Sequence, residues 1–438
     1  MRIADREINH VAVLGFGRTG RAVTNFLLSH DIKPFVSDAA SLSESDHSFL
    51  ADQGIRYEEA RHTDGGLIHA DLIVLSPGVD PNLPLLADAQ RREALILSEL
   101  DLAYYVAPTR PIIAVTGTNG KSSTVRLIEA LLHRHGVSAV VAGNIGIPFI
   151  AVAKEAAAND AIVLEVSSFQ LEQSALFHPH VAVLLNLTPD HMERHRTMTA
   201  YTNAKKRLFL NQTCDDIAVL PADLAGSIRD LKARQILFDT LELPSLPYLE
   251  GLYPHQRDNL RAAIAACSAV VSEFDLACLR PEDIQGALDL PFRLCNEGWV
   301  AGVRVVNDSK STNAASTSAA LRSFECPVVL ILGGRHKQRG YVQLAELVAS
   351  RLVRKVILYG EAAHGLRETL RVAGYSRTEI HSHLEQAVSA GLAAALPDDV
   401  LLFSPACASY DQYRDYLERG EAFTRLIHSQ PAFSPTDS

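Results

Sequence analysis

The 438-residue sequence is 47% hydrophobic and 21% charged, with a formal net charge of −10; so much apolar sequence exceeds one ordinary core, and about two to four domains are expected. Neutralising a polyanion needs a basic patch, so the negative balance and the absence of any block of five or more lysines or arginines argue against a nucleic-acid partner. The opening MRIADREINH lacks the apolar core of a signal peptide, and Cys214, Cys267, Cys278, Cys295, Cys326 and Cys407 form no CxxC pair, so reduced thiols in the cytoplasm are expected.

Short Val- and Ile-rich runs alternate with helix-period segments, the pattern of parallel sheets covered by helices, and the fold class expected is α/β. The first block, residues 1–98, opens on the strand VAVL and the turn GFGRTG, continues through KPFVSD and DLIVLSPGVDP, and leads into a helix-like stretch from Leu85 to Tyr105. Gly15, Gly17 and Gly20 permit a tight turn and close approach of a phosphate to a helix start. Asp38 follows eighteen residues after Gly20, where a dinucleotide-binding protein places a ribose ligand. Alone, this motif leaves both a dehydrogenase and a purely structural turn open. A block of about 100 residues is short for two mononucleotide halves, so one nucleotide is expected.

The second block, residues 99–290, carries PIIAVTGTNGKSST. Gly117, Gly120 and Lys121 end a P-loop, tightened because the position of its usual first glycine is Val115. Backbone N–H groups from Thr118 to Lys121 suit a β-phosphate, Lys121 a γ-phosphate, and Ser122 a Mg²⁺ ion. The following helix shows Val125, Ile128 and Leu132 on one face and Gly136 as its stop. Residues 137–153 are uncharged but too short to span a membrane, and Gly143, Asn144, Gly146 and Pro148 interrupt them; two buried segments joined by a turn are expected. Glu165 ends the apolar strand AIVLEV, and burying a carboxylate there favours a cation ligand. His191, in TPDHMERH, suits a capped helix start as well as a ligand. By composition, Lys205 in YTNAKKRLF reads as a solvated helix face. Beyond residue 210 the pattern is less regular until an alanine-rich helix from Asn259. The third block, residues 291–438, offers four strands in VRVVNDS, CPVVLILGG, RKVILYG and DDVLLFSP.

TGTNGKSS, AGNIG, LEVSSFQLE, NLTPDHMERH, YTNAKKRLF, NDSKSTN, LGGRHK and SPACASYDQY stand in the order and approximate spacing of the Mur ligases. The sequence resembles that family over nearly its whole length. Some of these segments occur more loosely in folylpolyglutamate synthases, whereas NDSKSTN with SPACASYDQY resembles the D-glutamate-adding ligases.

The resemblance implies three domains: a Rossmann-like UDP-binding domain (1–98), a central P-loop ATPase-type domain with a mostly parallel sheet (99–290) and a Rossmann-like amino-acid-binding domain (291–438). It implies a monomer that phosphorylates the carboxylate of UDP-N-acetylmuramoyl-L-alanine with ATP and lets D-glutamate displace the phosphate. Lys121 would stabilise the moving phosphoryl group, while Ser122, Glu165 and His191 would hold two Mg²⁺ ions. Lys205 would be carbamylated by CO₂ and assist the metal site, which needs a depressed lysine pKa; Lys206 would point to solvent. Gly117, Thr118, Asn119, Gly120, Lys121, Ser122, Ser123, Asn259, Arg293 and Asp308 would contact ATP. Gly17, Arg18, Thr19, Asp38, Ser76 and Gly78 would hold the UDP end, and Asn144, Ser167 and Gln170 the muramoyl-alanine end. Lys310, Thr312, Lys337, Ser409 and Tyr410 would take the glutamate. The chain departs from the family at Phe292, usually His, at Gln256, usually Asn, and at Ala39-Ala40, where a hydroxyl and an arginine are common. A ligase with another amino-acid specificity, such as L-glutamate, and a non-catalytic nucleotide-binding paralogue are the alternatives.

Overall fold

The computed structural model describes residues 2–3, 6–107, 110–153, 158–228, 231–276, 279–336 and 341–435. They fall into two compact units: Met1–Asn186 with Thr202–Leu246 and Asp258–Ile284, and Leu187–Tyr201 with Pro247–Arg257 and Gln285–Ser438.

The first unit holds two large sheets and a two-stranded antiparallel pair, Arg2–Ile3 with Arg6–Glu7. One large sheet is fully parallel in the order Tyr57–Glu58, Phe35–Ser37, Val11–Leu14, Leu72–Leu75, Leu95–Ser98. VAVL and LIVL are buried throughout, as strands covered on both faces must be. The chain leaves Val11–Leu14 toward one edge and returns on its other side at Leu72–Leu75, which makes a crevice at the strands' carboxyl ends. Gly15 and Gly20 shape the turn there. Gly15 has φ +84°, and a Cβ on Gly20 would stand 1.9 Å from the Gly15 carbonyl oxygen. The stretch Leu85–Tyr105, read from sequence as helical, is instead helix, strand and helix: Pro84–Arg91, Leu95–Ser98 and Glu99–Val106. Pairing of Leu95–Ser98 with Leu72–Leu75 overrides its helix-forming surroundings.

The second sheet of this unit is also parallel, in the order Arg234–Leu237, Ile217–Leu220, Val181–Leu184, Ile112–Thr116, Ala161–Glu165, Ala139–Gly143. Ile112–Thr116 therefore lies between the strand that ends at Glu165 and the strand that leads to Asn186. Val125, Ile128 and Leu132 of helix Lys121–Arg134 are buried, and Gly136 follows the helix at φ +74°. The uncharged run forms strand Ala139–Gly143 and helix Phe149–Val152, joined by a turn in which Gly143 N–H donates to Ile147 O at 2.8 Å. The alanine-rich helix begins earlier than expected and spans Pro254–Ser268.

The second unit is built on a seven-stranded sheet in the order Thr378–His381, Val353–Tyr359, Val328–Gly333, Val400–Ala406, Val303–Asn307, Cys295–Val300, Phe433–Ser434. The first five strands are parallel and the last two join antiparallel. All four expected strands are present; Cys295–Val300, Thr378–His381 and Phe433–Ser434 are additions. Alternation in VVLILG sends Leu330 and Leu332 to one core with Leu344 and Leu366, and Val329 and Ile331 to the other with Leu384 and Phe423. Each such side chain contributes about 1.5–3 kcal/mol on burial. Among the described residues no helix is long and apolar enough to cross a membrane.

Candidate active site

The loop after Ile112–Thr116 is built from glycines that nothing larger can replace without strain. Gly117 (φ +152°) would place a Cβ 3.0 Å from Leu185 Cβ, and Gly120 (φ +91°) would place one 2.3 Å from Asn259 Oδ1. Asn186 braces the loop: its carbonyl accepts from Thr118 N at 3.0 Å, its Oδ1 from Asn119 N at 2.9 Å, and its Nδ2 donates to Asn119 O at 3.0 Å. These two N–H groups, expected from sequence to cradle a phosphate, are thus held by Asn186. Lys121 Nζ bonds the carbonyls of Gly117 and Thr118 at 3.0 and 2.9 Å. Ser122 and Ser123 are buried in the first turn.

Glu165, 2% exposed, stands beside this turn because its strand pairs with Ile112–Thr116, with Glu165 opposite Val115. Its Oε2 accepts from Ser122 Oγ at 2.7 Å and its Oε1 from Asn144 Nδ2 at 2.8 Å. Both donors are neutral, and among the described residues Glu165 has no ion pair. A buried carboxylate so placed, with a hydroxyl beside it, fits a hard divalent cation whose other ligands are phosphate oxygens and water. No group of three His, Cys, Asp or Glu side chains able to hold a metal occurs among the described residues. Any cation here would therefore depend on substrate oxygens.

Lys205 is the second lysine at the loop. It is 2% exposed, and its Nζ donates to Gly117 O at 2.8 Å and Thr116 Oγ1 at 3.4 Å. The solvated-face reading from composition therefore fails. Lys206 departs from expectation in the other sense: it is half-buried, and its ammonium bonds the carbonyl of Ser227 instead of pointing into solvent.

The residues expected to hold the UDP end lie at the first sheet. Gly17 and Arg18 are exposed at the helix start, and Thr19 is half-buried. Asp38 is committed to the turn, accepting from Phe16 N at 2.5 Å and Ala40 N at 2.8 Å. Ser76 Oγ donates to Gly15 O at 2.8 Å, fastening the SPG turn to the glycine turn, and Gly78 faces open space. Arg18 reaches the second sheet, donating to Asn144 O at 3.1 Å. Ser167 and Gln170 form a capping box at helix Ser168–Gln173.

The remaining expected residues belong to the second unit. His191 has φ +55°, a costly conformation for a residue other than glycine. Its side chain does not cap the helix it precedes. Neighbouring Asp190 accepts from His191 N and Asn313 Nδ2, each at 2.9 Å. Asp308 accepts from Leu294 N at 3.2 Å and Ser404 Oγ at 2.6 Å, and burial pushes its carboxyl up to about 6 against the pull of Ser311, Ser404 and Arg293. Burial, then the charge of Arg293, pushes His255 down to about 4. Phe292 takes φ +57° and packs over Gly420. Lys310 Nζ lies 5.6 Å from the centre of the Tyr416 ring. Thr312 is half-buried, Ser409 buried and Tyr410 63% exposed. Lys337 lies outside the described residues. The sequence reading passed over Arg419, which is wholly buried and ties two loops: it donates to Ser309 Oγ, Ser309 O and Cys407 O at 3.1, 2.8 and 3.0 Å. It also missed Asn186, the first residue of NLTPDHMERH, and Tyr416, three residues past SPACASYDQY.

Residues 10–84 match the family described as MurD N-terminal domain, 115–240 the Mur ligase middle domain, and 293–407 the Mur ligase, glutamate ligase domain. The chain is 37% identical to a UDP-N-acetylmuramoylalanine–D-glutamate ligase of Geotalea uraniireducens, over 96% of this chain and 97% of that protein. It is 34% identical to one of Pelotomaculum thermopropionicum over the same shares. Among solved structures, the UDP-N-acetylmuramate-alanine ligase of Thermotoga maritima shares the fold at TM-score 0.55 and 17% identity, covering 97% of this chain and all of that one. A bifunctional folylpolyglutamate synthase/dihydrofolate synthase does so at 0.53 and 16%, covering 74% and 91%.

Proposed function

The chain belongs to the Mur ligase family, and from that premise we propose that the loop at Gly117–Ser122, Glu165 and Lys205 activate a substrate carboxylate for amide formation. The protein is an ATP-dependent, ADP-forming ligase that joins D-glutamate to UDP-N-acetylmuramoyl-L-alanine in peptidoglycan precursor synthesis. ATP is its co-substrate, and Mg²⁺ is the cation proposed for the reaction. The observation that carries the residue assignment is the buried Glu165 carboxylate, bonded by Ser122 and Asn144 beside a lysine-bearing phosphate loop.

A carboxylate is a poor electrophile. Its oxygen attacks the γ-phosphorus of ATP and ADP leaves; the D-glutamate amine then attacks the acyl carbon, and the tetrahedral intermediate expels phosphate. Lys121 is the phosphoryl contact, moving from the carbonyls of its own loop to the transferring group. Ser122 and Glu165 would hold one Mg²⁺ and His191 would help hold a second, with carbamylated Lys205 assisting the metal site. Bound Mg²⁺ offsets the repulsion between two anions that must approach in line.

Residues 1–98 take the UDP end through Gly17, Arg18, Thr19 and Gly78. Asp38 and Ser76 act there by shaping the turn. Asn144, Ser167 and Gln170 line the muramoyl-alanine end. Asn259, Arg293 and Asp308 serve ATP, and Lys310, Thr312, Lys337, Ser409 and Tyr410 serve D-glutamate, whose two carboxylates require cationic and hydroxyl partners. We assign the enzyme to the cytoplasm as a monomer. Phosphate release is expected only with UDP-N-acetylmuramoyl-L-alanine, Mg²⁺, ATP and D-glutamate together. Absence of product with all four present would sink the assignment, and D- and L-glutamate competing in one assay would test the stereochemistry.

A further inference from the structure

Glu99 is a carboxylate that none of these assignments uses. It opens helix Glu99–Val106, is 1% exposed, and accepts from Ile150 N–H at 2.8 Å through Oε1. Its Oε2 is sealed from solvent without a hydrogen bond of ordinary length. Helix Glu99–Val106 packs on Arg18–Leu28, on Phe149–Val152 and on Ser168–Gln173, so one buried acid sits where four helices meet. What faces it there is one-sided: the N–H groups of Phe149 and Ile150, the Gln170 side chain and, at longer range, the Arg18 guanidinium. Ser167 N and Oγ hold Gln170 Oε1, each at 3.0 Å, which turns the amide N–H toward Glu99.

We propose that Glu99 is a positioning residue for the UDP-linked substrate, its carboxylate drawing together Arg18, Gln170 and the end of the segment that carries Asn144. The proposal rests on the assignment of those three residues to that substrate. The segment is closed by Gly143 N–H on Ile147 O, pinned at Asn144 by Glu165 and Arg18, and anchored at Ile150 by Glu99. An apolar side chain would fill the same place at less cost to folding, since a buried acid is costly unless well paired. A carboxylate surrounded by donors is worth retaining only where those donors must be held.

The anion is the form that these donors favour. Burial opposes ionisation and pushes the carboxyl up to about 7, with Ile150, Gln170, Phe149 and Arg18 pulling back. Of the charged groups, Arg18 pulls on it; Arg21 and Glu172 are the other charged side chains on the packed helices, and Phe149–Val152 carries none. Asp101, on Glu99's own helix, turns to residues 174–177.

The test is steady-state kinetics of the full chain from pH 6 to 9, wild type against Glu99→Gln. Neither the pyrophosphate diester nor the alanyl carboxylate of the UDP substrate titrates in that range. In the wild type, KM for UDP-N-acetylmuramoyl-L-alanine should fall as pH rises through about 7. In Glu99→Gln it should be pH-independent and about tenfold higher at pH 8, with KM for ATP and D-glutamate within about twofold of wild type. Wild-type KM and inflection in the variant, or an equal rise in all three KM values, would overturn the proposal. If Glu99→Gln does not fold, the wild-type profile decides alone, and a flat one overturns it. A wild type that makes no product sinks the ligase reading and this one with it, whereas an active wild type without the inflection sinks only this one.

Discussion

Lys121 and Lys205 donate to the same atom: the carbonyl oxygen of Gly117 accepts from Lys121 Nζ at 3.0 Å and from Lys205 Nζ at 2.8 Å. Two ammonium groups converging on one oxygen repel, and with Lys205 buried little water screens them. In the proposed carbamylation the neutral amine of Lys205 would attack CO₂, forming an N–C bond and losing a proton, and the carbamate would be an anion beside Lys121.

Lys205→Ala is accordingly expected to lower kcat by at least about 100-fold, and Lys206→Ala by less than about threefold, since among the described residues Lys206 bonds only Ser227 O. The wild type supplied with ¹³C-bicarbonate should show one carbamate resonance that Lys205→Ala lacks. Equal losses in both variants would remove the carbamate argument.

Glu165→Gln keeps the shape of the side chain but removes its charge. With Ser122 and Asn144 as its two neighbours, the change touches no ion pair among the described residues. Thermal stability should shift little, while the Mg²⁺ concentration for half-maximal activity should rise at least about tenfold. An unchanged Mg²⁺ dependence in a magnesium titration would show that Glu165 is not a ligand.

The parallel sheets were legible because strands buried on both faces, such as VAVL, IIAVT and VVLILG, must be apolar throughout. Leu95–Ser98 and Tyr57–Glu58 were not, because short strands amid helix formers are decided by their pairing partners. In the site, the phosphate loop and Glu165 could be read from local pattern. Lys205 could not be told from its neighbour Lys206 without the family resemblance, because burial depends on residues distant in sequence. The same holds for the bracing residues: what Asn186, Arg419 and Asp101 do is defined by loops elsewhere in the chain, and neither periodicity nor a short motif records that.

Asp101 shows how much such a residue can hold. Its carboxylate accepts from Ser174 Oγ at 2.7 Å and from the N–H groups of Ala175, Leu176 and Phe177, each at 2.9 Å. Asp101→Ala strips four donors in a buried or half-buried loop of their acceptor, and a loss of at least about 3 kcal/mol is expected in denaturant unfolding. Asp101→Asn, which keeps one acceptor, should lose less. A loss below about 1 kcal/mol for the alanine variant would mean that water replaces the carboxylate.

Asp308 makes stability depend on pH with a defined sign. Its carboxyl is raised from 3.8 to about 6 by burial, so the folded protein binds a proton there that the unfolded chain has released between those values. The stabilising contribution is fully present below about 3.8 and is lost as pH rises through about 6, reaching about 3 kcal/mol above neutrality. Asp308→Asn cannot ionise. Its amide can accept Leu294 N–H through Oδ1 and donate Nδ2–H to Ser404 Oγ, since a hydroxyl accepts as well as donates. Measured by urea unfolding without ATP, the stability of the variant relative to the wild type should rise by about 2–3 kcal/mol from pH 4 to pH 8. Because the comparison is between proteins at each pH, titrations common to both cancel. A gap that stays constant would show that Asp308 ionises in the folded protein as it does in the unfolded chain, and that Arg293, Ser311 and Ser404 offset the whole cost of its burial.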